Sequence, residues 1–226
     1  MLVGRLTSKT VGVSVISRNP LQVEGARSYE CSLIDRIQVA DVIDRIHEDQ
    51  GDVTGIVFAQ RYRGPQDQNW DGELATTLGG VETILDCVGP RLGAGNLRSV
   101  VLVSSVNATR VSPALPLSYH VAKAGLIQMA RYYAWKLGPL GVRVNVVAPG
   151  TFVKPESEAY YMAAVGAREQ IIKTSALKRM GTADDVVNVI EFLLGDSSGF
   201  VTGQTITVDG GASLKWSEVD EDPGLW

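Results

Sequence analysis

Five short runs rich in β-branched residues punctuate the chain: "VGVSVI" (11–16), "GIVFA" (55–59), "SVVLVSS" (99–105), "VRVNVVAP" (142–149) and "TITVDG" (205–210). Longer amphipathic segments separate them. Nearly continuous apolar strands alternating with helices indicate a parallel sheet covered on both faces, so the expected fold is α/β, a doubly wound parallel sheet. In "IQVADVIDRIHED", Ile37, Val39, Val42, Ile43 and Ile46 fall near one helical stripe. "TADDVVNVIEFLLGD" opens with Thr182 at the N-cap position and Asp185 three residues on, the spacing of a capping box.

With 226 residues, 45% of them apolar and 20% charged, the chain can close one large core, and we read a single domain over residues 1–214. The acidic, Trp-ended stretch "WSEVDEDPGLW" places a C-terminal arm over residues 215–226. A net charge of -4 without a long basic run argues against a nucleic-acid partner. Cys31 and Cys87 stand far apart with no Cys/His companions, as expected of free thiols and not of a disulfide framework or a zinc cluster. No metal is expected. The opening residues do not read as a signal peptide, and no run of about 18 apolar residues occurs, so the expected location is the cytoplasm, without a membrane partner.

The chemistry is carried by "SYHVAKAG" (118–125), which puts Lys123 one helical turn beyond Tyr119. A free phenol exchanges protons poorly near neutrality, and a neighbouring ammonium favours its phenolate form. The preceding strand ends in Ser104 and Ser105, either of which offers a hydroxyl to orient a substrate oxygen. In open α/β sheets ligands sit at the carboxyl ends of the strands, and both segments fall there. Together they form a proton-transfer site for a carbonyl or an alcohol.

The run "VLVSSV … SYHVAKAGLIQMARYYAWKLGPLGVRVNVVAPG … LKRMGTADDVVNVIEFLLGDSSGFVTGQTITVDGG" resembles the short-chain dehydrogenase/reductase family, closest to its acyl-carrier-protein-reductase-like branch, over about residues 99–214. The resemblance implies a Rossmann-like fold, NAD or NADP as cofactor, and dimers or tetramers. It casts Ser105 as the substrate-orienting serine, Tyr119 as the catalytic acid/base, and Lys123 as the residue that activates the tyrosine and contacts the nicotinamide ribose. The serine-to-tyrosine interval is one residue longer than the commonest spacing.

The first half departs from the family pattern. "VGVSVISRN" resembles the family's second strand and "LVGRLTSK" the remnant of its first helix, so the first strand and the glycine-rich turn that cradles the pyrophosphate are expected to be lacking. Ser32 stands at the family's adenine-facing aspartate, and "FAQR" (Phe58, Ala59, Gln60, Arg61) stands in place of "NNAG". Thr77 replaces the helical asparagine of the catalytic tetrad, and Lys154 the nicotinamide-contacting threonine. Arg18, Lys123, Pro149 and Gly150 remain as cofactor contacts by resemblance, Arg18 facing the extra phosphate of NADP. Two lost charge-assisted bonds, at about 1.5–3 kcal/mol each, lower affinity about a hundredfold or more.

The expected function is therefore that of a degenerate, non-NAD-binding subunit paired with a complete paralogue of the family. Assembly would use the helices of residues 70–92 and 117–136, with a second contact near "TITVDG", Trp216 and Trp226. One alternative is an autonomous NAD(P)-dependent oxidoreductase interconverting a ketone and a secondary alcohol through Ser105, Tyr119 and Lys123. Another is a non-redox isomerase or lyase on the same scaffold, with Arg61 and Arg63 binding an anion. Residues 151–176 replace the family's substrate-covering segment and name no substrate.

Overall fold

The structure is a computed structural model that describes residues 2–8, 12–19, 22–64, 69–88, 98–154 and 157–214. After a short helix α1 (Leu2–Thr7) come β1 (Val13–Ser17), β2 (Ala26–Glu30), α2 (Arg36–Gln50), β3 (Gly55–Phe58) and α3 (Asn69–Leu74). A π-helical turn over Ala75–Gly79 leads into α4 (Gly80–Val88), β4 (Ser99–Val103), α5 (Leu117–Leu137) and β5 (Arg143–Pro149). The chain ends with β6 (Phe152–Val153), α6 (Glu158–Ala163), α7 (Val165–Thr174), β7 (Gly181–Thr182), α8 (Ala183–Leu194) and β8 (Thr205–Val208).

The central sheet is parallel, in the order β3-β4-β5-β8, with Val101 opposite Val57 on one side and Asn145 on the other. Strands β1 and β2 pair parallel as a sheet of their own, and among the described residues neither is hydrogen-bonded to β3. Both faces of the central sheet are covered. One core joins Val100, Leu102, Val144 and Val146 to α2, α4 and α5; the other packs Val101 and Val147 against Val186, Ile190 and Leu193 of α8.

Helix α2 buries Val39, Val42, Ile43 and Ile46, but Ile37 of the expected stripe is 84% exposed. The reason is angular: at about 100° per residue, Ile37 in the first turn points away from the face that Val39 and Val42 share. Its main-chain N–H is instead part of the cap, donating to the Asp35 carboxylate. Strand β8 alternates exposed and half-buried residues, as an edge strand does, rather than forming a buried apolar run.

Beyond the edge, β8 is joined to β5 by a buried side chain. Asn145, fully buried, donates Nδ2–H to Val201 O at 2.8 Å and accepts Gln204 N–H at 3.0 Å. At the start of α8 the capping box is present: Thr182 Oγ1 accepts from Asp185 N, and the Asp185 carboxylate accepts from Thr182 N and from Arg179 at 2.7 and 2.8 Å. These bonds hold the Asp185 carboxyl well below the usual carboxylate range, the Arg179 hydrogen bond being the largest cause. Thr182→Ala is expected to lower stability by about 1 kcal/mol in chemical denaturation at pH 7. Thr182→Ser should recover most of it.

Among the described residues no helix is long and apolar enough to cross a membrane, and no cluster of metal-ligating side chains occurs. The C-terminal arm expected over 215–226, with Trp216 and Trp226, lies outside the described residues, as do the last residues of the expected 70–92 helix.

Candidate active site

Strand β4 ends at the floor of the site, and α5 crosses above it. Ser104, buried, donates its hydroxyl to Lys123 O at 2.7 Å, and Lys123 Nζ donates back to Val103 O at 3.0 Å. Ser105, 7% exposed, is extended and accepts Asn107 N–H on its Oγ, capping a 3-10 turn over Val106–Ala108. Of the two serines, Ser104 is thus engaged in holding α5, and Ser105 carries the hydroxyl at the strand end.

Helical spacing brings Tyr119 and Lys123 together as expected: Lys123 Nζ lies 5.6 Å from the Tyr119 ring centroid. Lys123 is only 4% exposed and has no direct carboxylate partner among the described residues. Burial is the main reason its pKa falls from 10.5 to about 8; the Glu73 carboxylate pulls the other way, and the cations of Arg61 and Lys154 reinforce the drop.

Arg61, expected as an anion contact of the non-redox alternative, stands over the same tyrosine. Its guanidinium carbon is 5.3 Å from the Tyr119 ring centroid. The turn after β3 is folded down by its own side chains. Gln60 donates to Thr77 O at 3.2 Å, and the ring of Tyr62 lies so close to Gly72 that a Cβ there would meet it at 2.2 Å. Thr77, fully buried in the π-helical turn, donates its hydroxyl to Glu73 Oε1 at 2.6 Å.

Glu73 escaped the sequence reading. A carboxylate on a short amphipathic helix reads as solvated, yet it is 4% exposed. Its signal was the spacing, four residues before the buried Thr77, which puts the two on one face of the helix.

The remaining cofactor candidates are scattered. Arg18 is exposed just past the end of β1, in the separate two-stranded sheet. Pro149 closes β5 opposite Val208, and Gly150 is pressed against β8, where a Cβ would come within 2.7 Å of Asp209 Cβ and 3.1 Å of its Cα. The Gly150 position therefore serves close packing of the two strand ends. Ser32 donates its main-chain N–H to Gln38 at the start of α2. A cavity of about 490 Å³ opens at the ends of β5 and β8, lined among others by Val106, Gly150, Phe152, Arg179 and Asp209. It adjoins Ser105 and Pro149 through their chain neighbours, and neither Tyr119 nor Lys123 lines it. The reactive groups, not the volume, mark the site.

Residues 16–213 match a family model described as enoyl-(acyl carrier protein) reductase. A 3-oxoacyl-[acyl-carrier-protein] reductase of Thermotoga maritima is 32% identical over 189 residues, covering 81% of this chain and 75% of that protein. An uncharacterised oxidoreductase of Schizosaccharomyces pombe is 27% identical over 215 residues, covering 91% of this chain and 81% of its own length. Among solved structures, ligand-free aldohexose dehydrogenase of Thermoplasma acidophilum superposes with a TM-score of 0.85 at 22% identity, covering 98% of this chain and 91% of that one. Gluconate 5-dehydrogenase of Burkholderia cenocepacia, in complex with NADP and tartrate, gives 0.80 at 21% identity, covering 95% of this chain and 90% of that one. The fold is theirs, and with the model spanning most of its length the chain belongs to the short-chain dehydrogenase/reductase family.

Proposed function

We propose that the chain is a subunit of a carbonyl-reducing or alcohol-oxidising assembly that keeps the Ser105, Tyr119 and Lys123 set and leaves NAD or NADP to a complete paralogue of the same family. The observation that carries this reading is the turn after β3: Gln60 is bonded to Thr77 O and Arg61 stands over Tyr119, where the family pattern has "NNAG". Against dinucleotide binding by this chain stand Arg18, exposed past the end of β1, and Gly150, packed against Asp209. No step is therefore derived through the cofactor. What these residues offer themselves is a hydroxyl at Ser105 to orient an oxygen, and two cations, Arg61 and Lys123, near the Tyr119 ring.

An exposed apolar stripe on α5, comprising Leu117, Val121, Tyr132 and Trp135, supports pairing with another chain or with a second copy, because a surface of this kind is costly in water. Trp135 alone is 88% exposed. A second reading, an autonomous NAD(P)-dependent oxidoreductase on a ketone or secondary alcohol, is favoured by Lys123. A buried ammonium beside a tyrosine at a strand end is the type of perturbed group that clusters at working sites.

Calorimetric titration separates the two. The isolated chain is expected to bind NADH and NADPH with dissociation constants no tighter than about a hundredfold above the low micromolar range, because Gln60 and Arg61 take up the turn after β3 and two charge-assisted bonds not formed there are worth about that much. A low-micromolar constant for either would overturn the subunit reading in favour of the autonomous enzyme.

A further inference from the structure

The segment that joins the Ser105 turn to α5, residues 109–116, has few donors of its own. Pro113 and Pro116 bring no N–H, and Pro116 opens α5 without a side-chain cap. One turn is closed inside it, with Leu115 N–H donating to Ser112 O at 3.1 Å. His120, in the first turn of α5, reaches back to this strap at two points. Ser112 N–H donates to His120 Nε2 at 3.0 Å, and His120 Nδ1 lies 2.9 Å from Pro116 O. Both partners are main-chain groups that cannot exchange roles, since an amide N–H only donates and a carbonyl oxygen only accepts. Nε2 therefore bears the lone pair and Nδ1 the hydrogen. The other tautomer would lose both bonds, and an imidazolium could not accept from Ser112.

What the strap borders gives this tie its reach. It continues from the turn over Val106–Ala108 that Ser105 caps, and Val106 and Arg110 line the cavity at the ends of β5 and β8. Arg110 is anchored in turn by donating to Ser213 O, a residue of the same lining. On its other side the His120 ring meets the Tyr119 ring edge-on, with centroids 6.2 Å apart. One imidazole thus contacts the strap, the opening of α5 and the tyrosine.

We propose that His120 is a positioning residue: as the Nδ1–H imidazole it ties the strap of residues 109–116 to α5, and through the strap it steadies the turn that carries Ser105. The positioning role rests on Ser105 and Tyr119 being the reacting pair, whereas the tie itself does not.

The test is NMR of the full chain. It holds two histidines, His47 and His120, so the imidazole signals that disappear in His120→Gln belong to His120. At alkaline pH, with the ring neutral, ¹⁵N–¹H correlation should show a protonated Nδ1 and a bare Nε2. The Nε2–H form, which a solvated imidazole favours, overturns the proposal. Amide hydrogen exchange at neutral pH gives a second reading. His120→Ala should lower the protection of Ser112 N–H about tenfold and shift the Asn107 amide, which donates to Ser105 Oγ, while the amides of β5 keep their protection. His120→Gln, whose side-chain oxygen can accept in place of Nε2, should restore most of it. A folded His120→Ala protein with Ser112 protection unchanged, with Asn107 unmoved, or with β5 weakened as much as Ser112 overturns the proposal. If His120→Ala fails to fold, the tautomer in the unaltered chain decides. Neither reading needs cofactor or turnover, so a failure here is separate from the outcome of the calorimetry.

Discussion

Lys123→Met is expected to make the protein more stable at pH 7, by about 2 kcal/mol, while removing the ammonium that the proton-transfer set requires. A pKa that falls from 10.5 to about 8 on folding corresponds to a penalty of about 3 kcal/mol on the charged form. The bond from Nζ to Val103 O offsets about 1 kcal/mol of it, and that bond is lost in the variant. The sign follows from proton counting. Between about pH 8 and 10.5 the unfolded chain holds a proton on Lys123 that the folded chain has released, so stability of the unaltered protein rises with pH through that window. The penalty is therefore fully present below pH 8 and relieved above it. Chemical denaturation at a series of pH values should show the advantage of Lys123→Met at pH 7 shrinking toward zero by about pH 10.5. A variant less stable than the unaltered protein at pH 7 would mean that the ammonium is a net stabiliser, contrary to its burial.

Asn145→Asp should move stability the other way, by more than about 3 kcal/mol at neutral pH. The side chain is fully buried, and its Nδ2–H is the donor to Val201 O. An aspartate keeps the acceptor for Gln204 N–H and turns an oxygen toward another oxygen. Its carboxyl would be raised above the unfolded value of about 3.9 by burial and by that carbonyl. The folded state then holds the extra proton, and stability falls as pH rises from about 4 through the folded pKa. Thermal unfolding at pH 4 and pH 7 reads this directly: the variant should approach the unaltered protein at the lower pH and unfold well below it at the higher. Equal deficits at both pH values would show that lost geometry, not charge, is responsible.

These two variants sit at opposite ends of what the sequence reveals. Tyr119 and Lys123 were legible because an i,i+4 pair is fixed by the helix itself. The Thr182–Asp185 capping box was legible for the same reason, and the strand runs because β-branched residues recur between helical segments. Glu73 and Arg61 were not, since their placement depends on how α3 and the turn after β3 fold over α5. That folding is set by contacts between distant residues: Gln60 with Thr77, and Tyr62 against the bare Cα of Gly72. Likewise Asn145 reads as one polar residue interrupting a strand until Val201 and Gln204 are brought beside it. The pairing of β1 with β2 in a separate sheet is also invisible locally, because strand adjacency belongs to topology.

The reciprocal bonds between β4 and α5 have a mechanical consequence. Ser104 reaches up to the Lys123 carbonyl while the Lys123 ammonium reaches down to the Val103 carbonyl. Two ties in opposite directions at one crossing resist both sliding and rotation of α5 about its axis. The backbone of Tyr119, one turn earlier, is thereby indexed to the sheet. The turn that carries Arg61 over the Tyr119 ring is therefore set against a helix fixed in register with the sheet.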